Sequence, residues 1–276
     1  KPLTSTLEDA RKLVEVAETA RQKHGTLFIL THNYTGYPMV RQAREMVAAA
    51  ALGTIRALQV EYPQDWLTTK QDFKQAAWRT DTARSGAGGS TGDIGTHAFN
   101  LACFVTGLRV EKLAADIQSF VPGRPVDDNA HILMRFEGGA RGMLWCSQVA
   151  PGNENGLRLR IYGEKGGLEW SQEDPNYLRY TPYGEPKRLL TRAGAGVGAQ
   201  AARMSRTPSG HPEGYLEGFA NIYGEAAAAI CAAREGKTCD TNVSYPTIQD
   251  GLRGVEFVSA CVNSSANDAA WVTLKH

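Results

Sequence analysis

The middle of the chain carries six short strand-like segments in a row, and no helical pattern separates them. Apolar and polar residues alternate within the segments, and Gly, Pro, Asn and Asp lie between them. The segments are 110–120, 130–136, 141–148, 157–162, 168–171 and 177–180. Because parallel neighbours need long crossovers, usually helices, this run predicts an open antiparallel sheet over 110–185. We expect helices on one face of the sheet and an open face available to another subunit.

The N-terminal segment follows a different pattern. Residues 6–24 carry apolar side chains at helical spacing, and Gly25 ends the predicted helix. The continuous apolar run at 27–30 is typical of a parallel strand buried on both faces, and such a strand needs a parallel neighbour. No earlier segment supplies one. We therefore expect 1–34 to be the last helix and strand of a truncated domain, and 35–276 to form a second, α+β domain.

The remaining segments complete the predicted organisation. Further helical periodicity marks 36–53, 92–107, 215–234 and 247–264. A strand is expected at 55–62, and 163–167 reads as a hairpin turn. Residues 192–212, rich in Gly, Ala, Ser and Pro, are typical of a long surface loop. Within it 194–199 fits GxGxxA, but a charged segment precedes it rather than a buried strand, so we do not interpret it as a dinucleotide fingerprint.

The net charge limits the classes of partner that this chain is expected to bind, and the cysteines indicate the compartment in which it works. Thirty basic and 29 acidic residues leave a net charge of +1, which gives no reason to expect a nucleic acid or an anionic membrane as partner. The five cysteines form no CxxC pair and lie in largely apolar segments, which indicates reduced, buried thiols in a cytoplasmic protein. Neither a signal peptide nor a membrane span is recognisable. We expect a small molecule or another subunit as partner.

The glycine-rich run at 85–97, SGAGGSTGDIGTH, holds the strongest candidates for chemistry. Asp93 and His97 are four residues apart at the start of a predicted helix, where a carboxylate can hold an imidazole and raise its basicity. The alternative is that Asp93 caps the helix and His97 is a satisfied core histidine. The glycines favour a site, since they let a ligand approach the backbone closely.

Several motifs occur in a fixed order along the chain. They are Lys1-Pro2 before a helix, Thr31-His32-Asn33-Tyr34, Trp78-Arg79, the run through Asp93-Ile94-Gly95-Thr96-His97, the hairpin 162–169, Asp250-Gly251-Leu252 and Trp271-Val272-Thr273-Leu274. Together, and over the whole chain, they resemble the glucose-fructose oxidoreductase, inositol dehydrogenase and rhizopine-catabolism (Gfo/Idh/MocA) oxidoreductases.

The resemblance implies an N-terminal Rossmann domain, here reduced to residues 1–34, followed by an α+β domain whose open sheet often forms the subunit interface. It implies that Lys1 lies near the reacting hydroxyl and the nicotinamide, that His97 accepts the hydroxyl proton, and that Asp93 is its partner and a substrate ligand. Oxidation of a secondary alcohol needs such a base, and a nearby ammonium stabilises the developing alkoxide.

Further residues are expected to line the cleft at the carboxyl end of the strand. The cofactor, NAD or NADP, is expected to contact Lys1, Pro2, His32, Asn33 and Arg79. The substrate is expected to contact Tyr34, Trp78, Asp93, His97 and His211. His211 lies at the end of the long loop and has an equally good reading as part of a helix start. Asn100 departs from the family, many members of which have a second acid there.

The sequence thus predicts an NAD(P)-dependent dehydrogenase that acts on a secondary hydroxyl of a sugar, anhydrosugar or cyclitol and assembles as a homodimer or homotetramer through the open sheet face. We expect no metal site, because the remaining histidines and acids lack ligand spacing. The fragment alone is expected to be inactive and to bind nicotinamide nucleotide poorly, since the resemblance places the pyrophosphate and ribose contacts in the missing half. The alternative is a non-catalytic binding or assembly module.

Overall fold

The computed structural model describes residues 1–71, 74–79 and 81–274 and shows a large open sheet with helices packed against it. The helices are α1 Leu7–His24, α2 Pro38–Ala48, α3 Lys74–Arg79, α4 Thr82–Ser85, α5 Thr96–Thr106, α6 Ala199–Met204, α7 Tyr215–Arg234 and α8 Ile248–Ala266. The strands are β1 Ile55–Pro63, β2 Val110–Gln118, β3 Asn129–Phe136, β4 Arg141–Ser147, β5 Arg158–Gly163, β6 Gly166–Ser171, β7 Tyr177–Pro182, β8 Arg188–Thr191 and β9 Val272–Thr273.

The sheet has the strand order β8-β7-β6-β5-β1-β4-β3-β2-β9. The predicted antiparallel pairs β2–β3, β3–β4, β5–β6 and β6–β7 are present. The simple meander, however, is wrong at the centre, where β1 lies between β4 and β5 and runs parallel to β4. The long connection through α5, β2 and β3 permits this parallel pair, and Leu58, Val60 and Tyr62 of β1 extend the buried face.

One face of the sheet forms the core. α8 packs on β2 and α5 packs on β1, and the two helices meet through the stacked rings of Phe99 and Phe257, 4.5 Å apart. Each large apolar side chain buried in this way contributes about 1.5–3 kcal/mol. On the opposite face of β3 and β4, Leu133 and Met143 are 54% and 44% exposed. The described sheet therefore has one covered and one open face.

The helix predicted in the N-terminal segment is confirmed. α1 begins after Thr6, whose hydroxyl accepts a hydrogen bond from Asp9 N, and ends at Gly25 in the left-handed conformation. The segment 27–30 pairs with no strand in the described part of the chain, so the strand predicted there, which needs neighbours outside this chain, stays a prediction. Instead Leu30 N donates a hydrogen bond to Pro246 O, and α1 packs against α8.

The predicted long loop at 192–212 contains helix α6, so that expectation is also wrong. The helix packs on α2, and its backbone N–H groups find side-chain acceptors there: Gly198 N donates to Gln42 Oε1 and Gln200 N to Glu45 Oε2. The GxGxxA segment thus precedes a helix start that is satisfied by the protein itself.

The cysteines are all free, but three of the five are not buried as predicted, and Cys103 and Cys239 are only partly buried. Cys146 and Cys261 are buried, whereas Cys231 on α7 is exposed because it lies on the outer side of that helix. Across residues 1–71, 74–79 and 81–274 we find no helix with the length and apolar character needed to cross a bilayer.

Candidate active site

A cleft of about 640 Å³ opens beside the helix start at residues 91–97. It brings together seven of the sequence-predicted residues, namely Lys1, Asn33, Tyr34, Trp78, Arg79, Asp93 and His97. These residues are up to 96 positions apart in the chain, so only the fold can place them in one cleft. The predicted residues outside its lining are Pro2, His32 and His211.

The helix start is built around the buried carboxylate of Asp127. This carboxylate accepts hydrogen bonds from Gly89 N, from Ser90 Oγ and from both the backbone N and the Oγ1 of Thr91. An anion is stabilised at the end of a helix where backbone N–H groups lack intrahelical partners. Asp127 therefore fixes the segment that carries Asp93 and His97, a role that sequence reasoning missed.

The glycine run serves close packing rather than ligand approach, which corrects the expectation. A Cβ on Gly89 would lie 2.0 Å from Asp127 O, and one on Gly86 would lie 2.4 Å from Ser5 O. In this run only Gly92 has open space where a side chain would project. The glycines let the loop lie tightly against the residues that anchor it.

The Asp93 carboxylate is held by cations, not by His97. Its Oδ1 lies 3.5 Å from Lys1 Nζ, and its Oδ2 accepts hydrogen bonds of 2.9 Å from Arg79 Nε and from Gln148 Nε2. Within the described part of the chain, none of its hydrogen bonds involves His97. The predicted pairing is absent because two cations, Lys1 and Arg79, bind the carboxylate oxygens of Asp93 instead.

The side chain of Lys1 is almost fully buried at the cleft. Burial lowers its pKa to about 8, and the charge of Asp93 offsets part of that fall. Its Nζ forms the ion pair with Asp93 but makes no hydrogen bond to a described residue. A buried ammonium without a hydrogen bond is costly unless a ligand atom completes its surroundings.

The imidazole of His97 lies among aromatic rings. Its ring centroid is 4.8 Å from that of Tyr34 and 5.4 Å from that of His32. Burial, and then the positive charge of Lys1, hold the pKa of His97 well below its ordinary value. The expected increase in basicity by Asp93 is therefore wrong. Its Nε2 makes no hydrogen bond to any residue that the structure describes, so it is free to meet a ligand in the cleft.

A polar network lines the wall beside His97. Tyr34 shares a short hydrogen bond with Tyr62, whose hydroxyl donates to Asn155 Oδ1 at 2.7 Å. Gln64 Nε2 donates to the same oxygen at 2.8 Å, and Trp66 Nε1 donates to Gln64 Oε1. Burial raises the pKa of both tyrosines, which keeps their hydroxyls protonated.

Two aromatic walls flank these polar groups. The Arg79 guanidinium lies 4.5 Å from the Trp78 ring centroid on one side. On the other side Tyr215 and Phe219 of α7 line the cleft, and their rings continue into a stack with Tyr223. Sequence reasoning missed these α7 residues, although aromatic residues at spacing four on a predicted helix were a usable signal.

The three residues outside the lining have distinct positions. His32 is 2% exposed and lies behind His97, so the expectation that it lines the cleft is wrong. The exposed His211 lines a neighbouring groove that shares Asn155 with the cleft, and Arg192 holds the His211 carbonyl there. Pro2 follows Lys1 through a cis peptide bond. In the described ranges, no group of three His, Cys, Asp or Glu side chains is arranged to hold a metal ion.

The chain is similar to members of a known oxidoreductase family. Residues 40–169 match the GFO/IDH/MocA C-terminal domain. The whole chain aligns at 34% identity with 70% of the uncharacterized oxidoreductase YfiI of Bacillus subtilis. A crystal structure of an oxidoreductase from Sinorhizobium meliloti is 62% identical, with a TM-score of 0.87 over 99% of this chain and 71% of that one.

A further solved structure shows which ligands a relative binds. The inositol dehydrogenase homolog from Azotobacter vinelandii in complex with NAD+ is 34% identical, with a TM-score of 0.92 over 99% of this chain and 70% of that one. The same homolog has been solved with NADH and myo-inositol.

Proposed function

Because the chain belongs to the GFO/IDH/MocA oxidoreductases, we propose that its cleft takes part in the NAD(P)-dependent oxidation of a secondary hydroxyl on a sugar, anhydrosugar or cyclitol. The observation that carries the proposal is the meeting of Lys1, Asp93 and His97 in one cleft, where His97 Nε2 bonds to none of the described residues. A base and a cation beside the same ligand position are what alcohol oxidation requires.

In this proposal His97 accepts the hydroxyl proton at Nε2. Its low pKa keeps it neutral, and therefore able to accept, at physiological pH. The Lys1 ammonium stabilises the negative charge that develops on the substrate oxygen, and Asp93 keeps that ammonium charged and in place. NAD(P), when bound, supplies the acceptor for the hydride.

The cleft walls suit a polyhydroxylated ring. Asn155, Gln64 and Tyr62 offer hydrogen-bonding groups on one wall. Trp78 and Tyr215 offer flat apolar faces on which the C–H face of a ring can pack. Polar edges combined with apolar faces match the two kinds of surface that a pyranose or cyclitol presents.

The proposed contacts to the cofactor involve three residues that line the cleft, Lys1, Asn33 and Arg79. Asn33 is buried at the cleft and its Nδ2 has no hydrogen-bond partner in the described part of the chain, so a polar ligand atom fits there. Pro2 adjoins Lys1 and remains part of the proposed contact set. We also propose that residues 1–34 form the end of a dinucleotide-binding domain.

We further propose that the open sheet face joins two copies of the chain in a homodimer or homotetramer. Leu133, Met143 and Tyr162 are large apolar or aromatic side chains exposed on that face. Glu61, paired with Arg160 at 2.7 Å, supplies a polar group on the neighbouring strands. Such an apolar patch with a polar surround is typical of a protein–protein interface.

The test uses the natural gene product that contains this chain. It is assayed with NAD+ and NADP+ against a panel of pyranoses, 1,6-anhydrosugars and inositols, with cofactor reduction as the readout. His97→Ala should lower turnover by about a hundredfold or more at nearly unchanged cofactor affinity. His24→Ala, on the exposed end of α1, is the matched control and should retain wild-type turnover. A binding module would reduce neither cofactor with any substrate.

A further inference from the structure

Two buried histidines face each other through the same ring nitrogen. His32 Nδ1 lies 3.5 Å from His97 Nδ1, and the two rings meet edge to face at an interplanar angle of 80°. His32 is 2% exposed and does not line the cleft, whereas His97 does. His32 therefore contacts the proposed base from behind and is not placed to touch the substrate.

The contact requires one proton between the two nitrogens. A neutral imidazole carries a proton on one nitrogen and a lone pair on the other. Burial lowers the pKa of His32 to about 3 and holds that of His97 well below its ordinary value, so both rings are neutral. One Nδ1 must therefore donate and the other accept, because two lone pairs facing each other would be repulsive.

We propose that His32 is a positioning residue that accepts a hydrogen bond from Nδ1–H of His97 and so directs the lone pair of His97 Nε2 into the cleft. This inference rests on the proposed function in one respect: His97 is taken to be the base. The arrangement of the pair itself is a property of the chain and can be tested without cofactor or substrate.

The positive charge at the cleft favours this direction of the hydrogen bond. The Lys1 charge acts on both histidines, but only His97 lines the cleft together with Lys1, and a cation there favours a lone pair over an N–H on the cleft-facing nitrogen. The opposite arrangement would put an N–H of His97 toward the cleft, where it could not accept a hydroxyl proton. The nitrogen that bonds to the second residue sets the tautomer of the first.

The pair also defines the proton's path. When His97 Nε2 takes the hydroxyl proton, the ring becomes an imidazolium and keeps its Nδ1–H bond to His32. Because His32 is a neutral acceptor and not a carboxylate, it orients the ring without strongly raising its pKa. His97 therefore returns the proton to water readily, and the ring is again neutral with its lone pair toward the cleft.

The direct test is nitrogen NMR of the protein labelled with ¹⁵N-histidine. The His97 signals are assigned by their loss in His97→Ala. The proposal expects His97 to carry its proton on Nδ1 and a lone pair on Nε2 in the wild type. A proton on Nε2 of His97 in the wild type would overturn it.

Two variants of His32 separate positioning from packing. His32→Phe keeps a ring but removes the acceptor, whereas His32→Asn keeps an acceptor at the position of Nδ1. We expect mixed His97 tautomers and a fall in kcat of about 10–100-fold in His32→Phe, with KM little changed, and near wild-type behaviour in His32→Asn. Equal losses in both variants would indicate a packing role and overturn the proposal.

The NMR measurement and the activity assay together distinguish a failure of this inference from a failure of the proposed function. If NMR shows the Nδ1–H tautomer but no polyol is oxidised, the proposed function fails while the histidine pair stands. If polyols are oxidised and His97 is protonated on Nε2, the proposed function stands and the role of His32 fails.

Discussion

Replacing Asp93 by Asn tests whether this carboxylate keeps Lys1 charged. Asp93 Oδ1 lies 3.5 Å from Lys1 Nζ and opposes the burial that lowers the Lys1 pKa to about 8. An opposite charge at such a distance raises the pKa of a cation by about 1–3 units. Without that charge the Lys1 pKa should fall to about 7 or below, since burial then acts unopposed. Most of Lys1 would then be neutral at a slightly alkaline pH.

The sign of the pH effect follows from the protonation of Lys1. The ammonium is present below its pKa and lost above it, so oxidation by the wild type should decline as the pH rises through about 8. In Asp93→Asn this alkaline limb should move down by about one unit or more. Turnover should fall less than in His97→Ala, and KM should rise because a charged hydrogen-bond acceptor is lost.

The assay is the pH profile of kcat/KM for cofactor reduction between pH 5 and 10. Asp174→Asn is the control, because Asp174 forms only an exposed pair with Arg179, 3.7 Å away, and its loss should leave the profile unchanged. An alkaline limb that stays in place in Asp93→Asn would refute the reasoning. The acidic limb should lie below the ordinary range of histidine in both, because the pKa of His97 is lowered.

Other predictions concern the helix start and the sheet. Gly89→Ala should lower Tm by several degrees, because its Cβ would lie 2.0 Å from Asp127 O, whereas Gly92→Ala should leave Tm unchanged. Equal thermal melts for the two variants would contradict this. Asp127→Asn should cost about 1–3 kcal/mol in urea unfolding, because its single amide oxygen cannot accept from both Gly89 N and Thr91 N. A change under about 0.5 kcal/mol would show that Asp127 anchors nothing. Met143→Glu on the open face should yield a smaller species in sedimentation velocity, and an unchanged size would exclude that face as the interface.

Local signals in the sequence predicted the helices and the hairpin well. The predicted helix 215–234 coincides with α7, and α8 begins one residue after its cap Thr247. The hairpin at 163–167 joins β5 to β6 with two residues between them. Capping residues, glycines and apolar periodicity act within a few residues of one another, so they can be interpreted without the rest of the fold.

Long-range placement could not be predicted in the same way. The insertion of β1 between β4 and β5 depends on strand pairing across more than 80 residues, which no local pattern encodes. The π-helical turn Thr91–Gly95, which carries Asp93, is anchored by Asp127, some 30 residues later. His211 lies outside the cleft lining, and its carbonyl accepts a hydrogen bond from Arg192. The resemblance to a family predicted which residues meet, and the structure determined their partners.

The central claim, that His97 is the base of a polyol dehydrogenase, is tested most directly by comparing NAD(P)+ reduction by the wild type and by His97→Ala across a panel of pyranoses, anhydrosugars and inositols. If His97 is the base, the wild type should reduce the cofactor with at least one such ring, and His97→Ala should lose about a hundredfold or more in turnover while cofactor binding is retained. Near wild-type turnover in His97→Ala, with the same acidic limb of the pH profile, would contradict it.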